Sequence, residues 1–150
     1  MKPVRRVVTG QRAGKAVIVH DGPAPNAKVR PSGLVSTLLW TTEESPAALG
    51  ESDRGNLDIG IPPPREGSIF RVVDFPAGAK GEMHRTRSVD YGIVIEGEID
   101  MLLPEGEVHL RAGDVLVQQG TEHAWENRGA ANCRIAFILI DAREGGSHAS

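Results

Sequence analysis

The side chains able to do chemistry lie between Gly78 and Asn127. In an extended strand, alternate side chains share one face. Glu82, His84 and Thr86 therefore point one way and Arg85 and Arg87 the other, with Asp90 following a short break. Further on, His123, Trp125 and Asn127 share a face, opposite Glu122, Ala124 and Glu126. Two histidines from separate strands, a carboxylate and an indole then converge inside one fold. A histidine titrates near neutrality and can take or give a proton, and a neighbouring carboxylate can fix its tautomer. Asp90 would orient His84 in this way and leave His123 as a second acid or base. Such a pair suits proton abstraction beside a carbonyl, followed by loss of hydroxide or another leaving group. Trp125 offers an apolar wall for a flat substrate, or else fills the core. Either histidine alone would be weak evidence; the joint pattern is stronger.

Other residues carry less. Arg71 shares its face with Ile69, Val73 and Phe75. If that face is internal, Arg71 anchors a substrate carboxylate; the favoured disposition has it snorkelling outward. Tyr91, beside Asp90, donates to a substrate oxygen or merely packs. His109 alternates against Val108 and Leu110 and is expected to face solvent, and His20 reads as a surface or turn residue before Asp21-Gly22. Met83 and Met101 read as core or rim, and Cys133 as a buried, inert thiol.

These residues need strands to position them. Eighteen glycines and ten prolines punctuate short runs rich in Val, Ile and Leu, the pattern of many short strands. Val4–Thr9 and Ala16–His20 are expected to pair across a Gly10–Gly14 turn. Leu34–Thr41, Ile69–Phe75, Tyr91–Ile95, Ile99–Leu103, Glu107–Leu110, Val115–Val117, His123–Asn127 and Arg134–Ile140 follow. Glu96-Gly97 and Glu105-Gly106 sit between runs as expected hairpin turns. No helical period is sustained. The fold class is all-β, a closed or double-sheet barrel that leaves few free edges. Segment 43–64 lacks apolar periodicity and reads as a lid or interface loop, with a solvated excursion as the alternative. The tail Glu144–Ser150 reads as frayed, and His148 within it as inert.

Composition narrows the function. The 150 residues fit one domain, 1–150, with a barrel core over about 68–141. Lys plus Arg is 17 against 20 for Asp plus Glu, net −3, which argues against a nucleic-acid partner. With 4% aromatic residues, stacking platforms for single strands are also disfavoured. The single cysteine excludes an internal disulfide and a cysteine zinc cage. No run approaches the roughly 18 apolar residues of a membrane span, and MKPVRRVV is no signal peptide. The expectation is a cytoplasmic protein with no membrane partner.

The glycines and histidines also fall into a known order. Gly78 precedes His84 by five intervening residues, and Thr86, Asp90 and Gly97 follow. Gly113-Asp114, Gln118, Gly120, His123 and Asn127 form a second group. Together they resemble the two motifs of the cupin superfamily. Thr86 stands where the family has a second histidine, Asp90 where it has glutamate, and Gln118 where it has proline. The resemblance implies a cupin double-stranded β-helix, or jelly-roll barrel. It is specific for fold and much less so for function, because cupins host many activities.

The family's metal set is three histidines and a glutamate, and here it is depleted. What remains, His84, Asp90 and His123, has the composition of a two-histidine, one-carboxylate facial triad. It suits one divalent metal, Fe first and Zn, Mn or Ni tolerated, with Glu82 as an alternative ligand. The metal-free reading assigns the same three residues to acid–base work, with Trp125, Tyr91, Thr86 and Arg71 around a small-molecule substrate. The resemblance implies an enzyme of lyase, dehydratase or isomerase type acting on an oxygenated metabolite. An Fe(II)-type dioxygenase and a non-catalytic ligand sensor are the alternatives. It also implies a homodimer.

Overall fold

Period-two alternation dominates the chain, and the computed structural model, which describes residues 2–145, shows what that alternation builds. Most of the tail expected to fray, with His148, lies outside the described residues. The strands in chain order are β1 (Arg5–Arg12), β2 (Lys15–Pro23), β3 (Asn26–Val29), β4 (Val35–Thr42), β5 (Ser68–Phe75) and β6 (Ser88–Glu96), then β7 (Glu98–Leu103), β8 (Gly106–Arg111), β9 (Val115–Gln119), β10 (Ala124–Glu126) and β11 (Cys133–Asp141). No helix occurs among the described residues. None therefore is long and apolar enough to cross a membrane.

Two sheets face one another. One has six strands in the order β3-β4-β5-β11-β6-β9, and the other has the order β10-β7-β8. Residues 78–84 lengthen the second sheet. Gly78 N–H donates to Asn127 O at 2.9 Å, Gly81 N–H donates to Trp125 O at 3.0 Å, and His84 and His123 exchange backbone hydrogen bonds at 2.9 Å each. Ile69, Phe75, Val94, Ile135, Phe137 and Leu139 from the first sheet meet Ile99, Met101, Leu110 and Trp125 from the second in one buried core. The hairpin β1-β2 stands apart as its own sheet. Val4 and Ala24 from its ends pack on Leu39, Val72 and Ala136, covering the outer side of β4, β5 and β11. Further along that outer side Tyr91, Ile93, Val115 and Val117 stay exposed, as facing pairs on β6 and β9.

Two expectations need correction. Glu96-Gly97 is no hairpin turn, because β6 pairs with β11 and β9 while β7 pairs with β8 and β10. The chain changes sheets there. Gly97 has φ +78° and its missing Cβ would lie 2.4 Å from Asn132 O, so only glycine fits the crossing. The strand β3 was not expected at all. Its four residues are too few, between Pro25 and Pro31, to show alternation.

Segment 43–64 contains no strand and lies against the barrel. Arg6 forks onto Asp53 at 2.9 and 2.7 Å. Asn26 Nδ2 donates to Leu57 O at 2.7 Å, and Arg71 Nη2 donates to Gly60 O at 3.1 Å and Ile61 O at 3.0 Å. Ile59 packs on the core.

Asn127 locks the end of β10. Its amide donates to Phe75 O and Ala131 O, both at 2.9 Å, and its Oδ1 accepts from Gly129 N–H at 3.0 Å. It is 1% exposed, so truncation leaves backbone groups unpaired in the interior. Asn127→Ala is expected to cost about 2 kcal/mol or more in chemical denaturation. A change below about 0.5 kcal/mol would show the ties to be dispensable.

Candidate active site

The backbone pair His84–His123 decides the geometry. Facing residues of a hydrogen-bonded antiparallel pair project to the same side, so the two imidazoles sit side by side with ring centroids 4.5 Å apart, tilted by 55°. His84 is exposed and His123 is 5% exposed. One ring therefore stands at the barrel mouth and the other inside it.

Each ring is oriented in the same way. His84 Nδ1 lies 3.0 Å from Glu82 O, and His123 Nδ1 lies 2.7 Å from Thr121 O. A carbonyl only accepts, so Nδ1 carries the hydrogen and Nε2 keeps its lone pair. Behind His123 the polar groups form a chain. Gln118 Nε2 sits 3.5 Å from His123 Nε2 and donates to Asp90 Oδ2 at 3.1 Å. Ser88 Oγ donates to Asp90 Oδ1 at 2.5 Å. Ser88, Asp90 and Gln118 are all buried. Gln118 Oε1 is buried with no hydrogen-bond partner.

Burial shifts both titrations away from the charged forms. It lowers the pKa of His123, against the Thr121 carbonyl, with His84 adding repulsion and Asp90 opposing it. Burial also raises the pKa of Asp90, against the bonds from Ser88 and Gln118 and the attraction of His123 and Arg71.

The expected site residues are thus partly assembled. His84 and His123 meet, but Asp90 does not orient His84: both its oxygens are taken by Ser88 and Gln118, and a backbone carbonyl orients His84 instead. The facial triad of His84, Asp90 and His123 is consequently not assembled, and among the described residues no three His, Cys, Asp or Glu side chains form a metal-sized group. Glu82 is exposed and meets His84 only through its backbone oxygen. The two Nε2 lone pairs suit a metal, but the third donor does not fit.

Tyr91 is misplaced in the sequence reading. It follows Asp90 directly on β6, so it must face outward, and it is 42% exposed. Thr86 is half-buried and meets Ser88 through its backbone carbonyl. Trp125 belongs to the core, 5.9 Å from Phe75 and 5.7 Å from Phe137, with an edge contact of 6.0 Å to His123. It backs the histidine while filling the interior.

Arg71 overturns the outward expectation. It is 7% exposed and level with Phe137 on β11 and Gly92 on β6, one step along the inner face from Asp90. Burial, with repulsion from Arg30, pushes its pKa down to about 10 against the pull of Asp90. Outside the site, His109 bridges Glu98 and Asp100 at 2.9 and 2.8 Å on the outer face. His20 lies within β2, with Nδ1 3.0 Å from Arg6 O. Cys133 is buried and free. Sequence reasoning missed Ser88 and the role of Gln118; the available signal was their shared parity with Asp90 and its β9 partner.

The comparisons with known proteins agree with this architecture. A model of the cupin domain matches residues 71–140. The cupin-domain-containing oxidoreductase srdD of Neurospora crassa is 32% identical over 157 residues, covering 96% of this chain and 78% of that protein. The cupin-domain-containing oxidoreductase virC of Hypocrea virens is 33% identical over 147 residues, covering 92% and 76%. Phomopsin biosynthesis cluster protein D of Diaporthe leptostromiformis is 48% identical over 79 residues, which are 51% of this chain and 42% of that protein. Among solved structures, the cupin domain of Schizosaccharomyces pombe Cnp3 superposes with a TM-score of 0.59 at 13% identity, covering 91% of this chain and 87% of that one. A Cupin 2 conserved barrel domain protein of Salinispora arenicola gives 0.54 at 14% identity, covering 78% and 82%. At such identities the structures speak for the fold alone.

The electrostatics can be read by NMR titration of the histidine ring protons. His123 is expected to titrate below the ordinary histidine value. Asp90→Asn removes an attraction and should lower its midpoint further, whereas His84→Ala removes a repulsion and should raise it. Shifts in the opposite directions would contradict the arrangement.

Proposed function

The chain belongs to the cupin family, and from that premise we propose that it is a small-molecule enzyme in which His123 and His84 move protons on an oxygenated substrate. The reaction class is lyase, dehydratase or isomerase. The observation that carries this reading is the histidine pair, with both Nδ1 atoms committed to backbone carbonyls, and His123 Nε2 met by the Gln118 amide at 3.5 Å, a long contact that a substrate can replace. Burial lowers the pKa of His123 and so favours the neutral form, the state a base needs. His84, at the mouth, exchanges protons with solvent.

For a β-hydroxy carbonyl substrate, His123 Nε2 takes the proton beside the carbonyl. The C–H electron pair becomes the new double bond, and the departing hydroxide takes a proton from protonated His84. Water leaves, and the proton held on His123 passes to the adjacent His84, which restores the starting state of the pair. Gln118 Oε1, buried and unpartnered, suits a substrate hydroxyl, and Asp90 holds Gln118 in place. A second reading, oxidation of a similar substrate, is favoured by the designation of srdD and virC as oxidoreductases. It requires an electron acceptor, dioxygen in the dioxygenase form.

We further propose a homodimer through the exposed face of Tyr91, Ile93, Val115 and Val117, since apolar rows of this kind on a sheet mark association surfaces. Val117→Lys should convert a dimeric mass in sedimentation to a monomeric one. A wild-type chain that sediments as a monomer removes this proposal.

A panel of β-hydroxy carbonyl compounds incubated in D₂O separates the reaction classes. Proton abstraction places deuterium beside the carbonyl, and His123→Ala should slow that exchange by about 10²- to 10⁴-fold. Because the His123 pKa is lowered, the acid limb of the activity profile should lie below the ordinary histidine value. Undiminished exchange in both His84→Ala and His123→Ala rejects the proton-transfer reading. Oxygen uptake without exchange selects the oxidative one.

A further inference from the structure

The structure shows repeatedly how this chain satisfies an arginine. Arg5 Nε and Nη2 grip Asp21 at 2.9 and 3.1 Å. Arg134 Nε and Nη2 grip Asp74 at 2.8 and 3.2 Å. In both, the side-on fork of the guanidinium takes two carboxylate oxygens. Arg71 presents the same fork half-filled. Its Nη2 donates to the Gly60 and Ile61 carbonyls, and its Nε is buried with no partner.

Neutral carbonyls are weak company for a buried cation, which ordinarily requires an anion. The cleft makes the deficit larger. Lys28, Arg30 and Arg71 line it together with Leu38 and Ile59. Lys28 is paired with Asp58, while Asp90, the carboxylate near Arg71 on the inner face, has both oxygens occupied by Ser88 and Gln118.

We infer that Arg71, with Arg30, is the binding site for a substrate carboxylate, and that the Gly60 and Ile61 carbonyls of the 57–61 loop hold that place until the ligand displaces them. The inference deepens the proposed function, resting on the barrel interior as the small-molecule site, and narrows the substrate to a carboxylate. The apolar lining of the cleft is Leu38, Leu57 and Ile59, so a carboxylate on a small apolar body suits the site. The loop is held by Asn26 through Leu57 O and by Ile59 against the core. Binding must therefore overcome a definite set of contacts, and weakening them should tighten binding.

The test titrates the full chain with sodium benzoate and with benzamide, which has nearly the same shape and no charge, following Trp fluorescence and the Arg71 Nε–H resonance. Benzoate is expected to bind and to shift the Nε–H signal; benzamide is not. Arg71→Lys keeps the charge but loses the fork and should weaken benzoate at least tenfold. Arg30→Gln, at the cleft edge, should weaken it several-fold and serves if the Arg71 variant does not fold. Ile59→Ala should tighten it several-fold. Equal response to benzoate and benzamide, or unchanged benzoate affinity in Arg71→Lys and Arg30→Gln, overturns the carboxylate site. Unchanged or weaker affinity in Ile59→Ala overturns the displacement. Exchange is read in His123→Ala and carboxylate binding in Arg71→Lys and Arg30→Gln, so failure of the histidine reading and failure of the carboxylate site are separate results.

Discussion

The register of β5, β11, β6 and β9 is the constraint on which the site depends. Leu139 lies between Ile69 and Asp90, and Asp90 faces Gln118; one step along, Phe137 lies between Arg71 and Gly92. Side chains alternate with period two, so a slip of one residue would turn every one of these outward. Asp90 would exchange places with Tyr91, and Arg71 with Phe70 or Val72. The apolar inner face enforces the register, because Ile69, Phe75, Ile135, Phe137 and Leu139 share the parity of the polar residues. The core and the polar chain are thus specified by one alternation, and the glycine crossing at Gly97 carries it from one sheet to the other.

Within that frame the polar interior is uneven in how well it is satisfied. The Arg134–Asp74 pair is buried, bidentate and reinforced by Asn132 Nδ2 at 2.9 Å. Asn127 uses both its donor and its acceptor. The Arg134–Asp74 pair lies against the N-terminal segment, where Arg134 also donates to Lys2 O. The residues left with an orphaned buried atom on the barrel's inner face, Arg71 Nε and Gln118 Oε1, are instead a donor and an acceptor. Buried polar groups without partners cost about 1–3 kcal/mol each. Arg6 Nε, Arg54 Nη2 and Asn132 Oδ1 also lack a hydrogen-bond partner, away from the inner face; the two on the inner face fit a ligand with both an acceptor and a donor.

Much of this was legible from residue types and spacing, and the exceptions have physical reasons. Alternation and turn residues located every long strand, because a half-buried strand must alternate. The short β3 escaped because four residues between prolines show no period. The two histidines were placed correctly on one side because their facing depends only on strand pairing. Asp90 was assigned to His84 because chain proximity suggested it, yet side-chain partners are chosen across strands: the β9 neighbour, Gln118, intervenes. Tyr91 follows the inward Asp90 directly, and adjacent residues on a strand cannot both face inward, so its outward position was readable. Arg71 shares parity with Ile69 and Phe75, so its inward position was readable. The general preference of arginine for solvent pointed the other way, and the docked loop that made burial tolerable could not be seen in an aperiodic segment.

Departure from the family's ligand set has a structural counterpart. The position that pairs with Asp90 across β9 is held by Gln118, whose amide nitrogen donates to the carboxylate at 3.1 Å and lies 3.5 Å from His123 Nε2. A proline there, as in the family motif, offers neither contact and leaves a carboxylate free to turn toward the histidines. With glutamine the carboxylate is held back from the imidazoles, and His123 Nε2 faces an amide rather than a charge. The shortened Asp90 favours the same outcome, because it reaches less far than glutamate. Thr86, Asp90 and Gln118 are therefore not three independent losses. They are mutually consistent with an interior in which histidine Nε2 atoms face a substrate directly, and Arg71 supplies the positive charge.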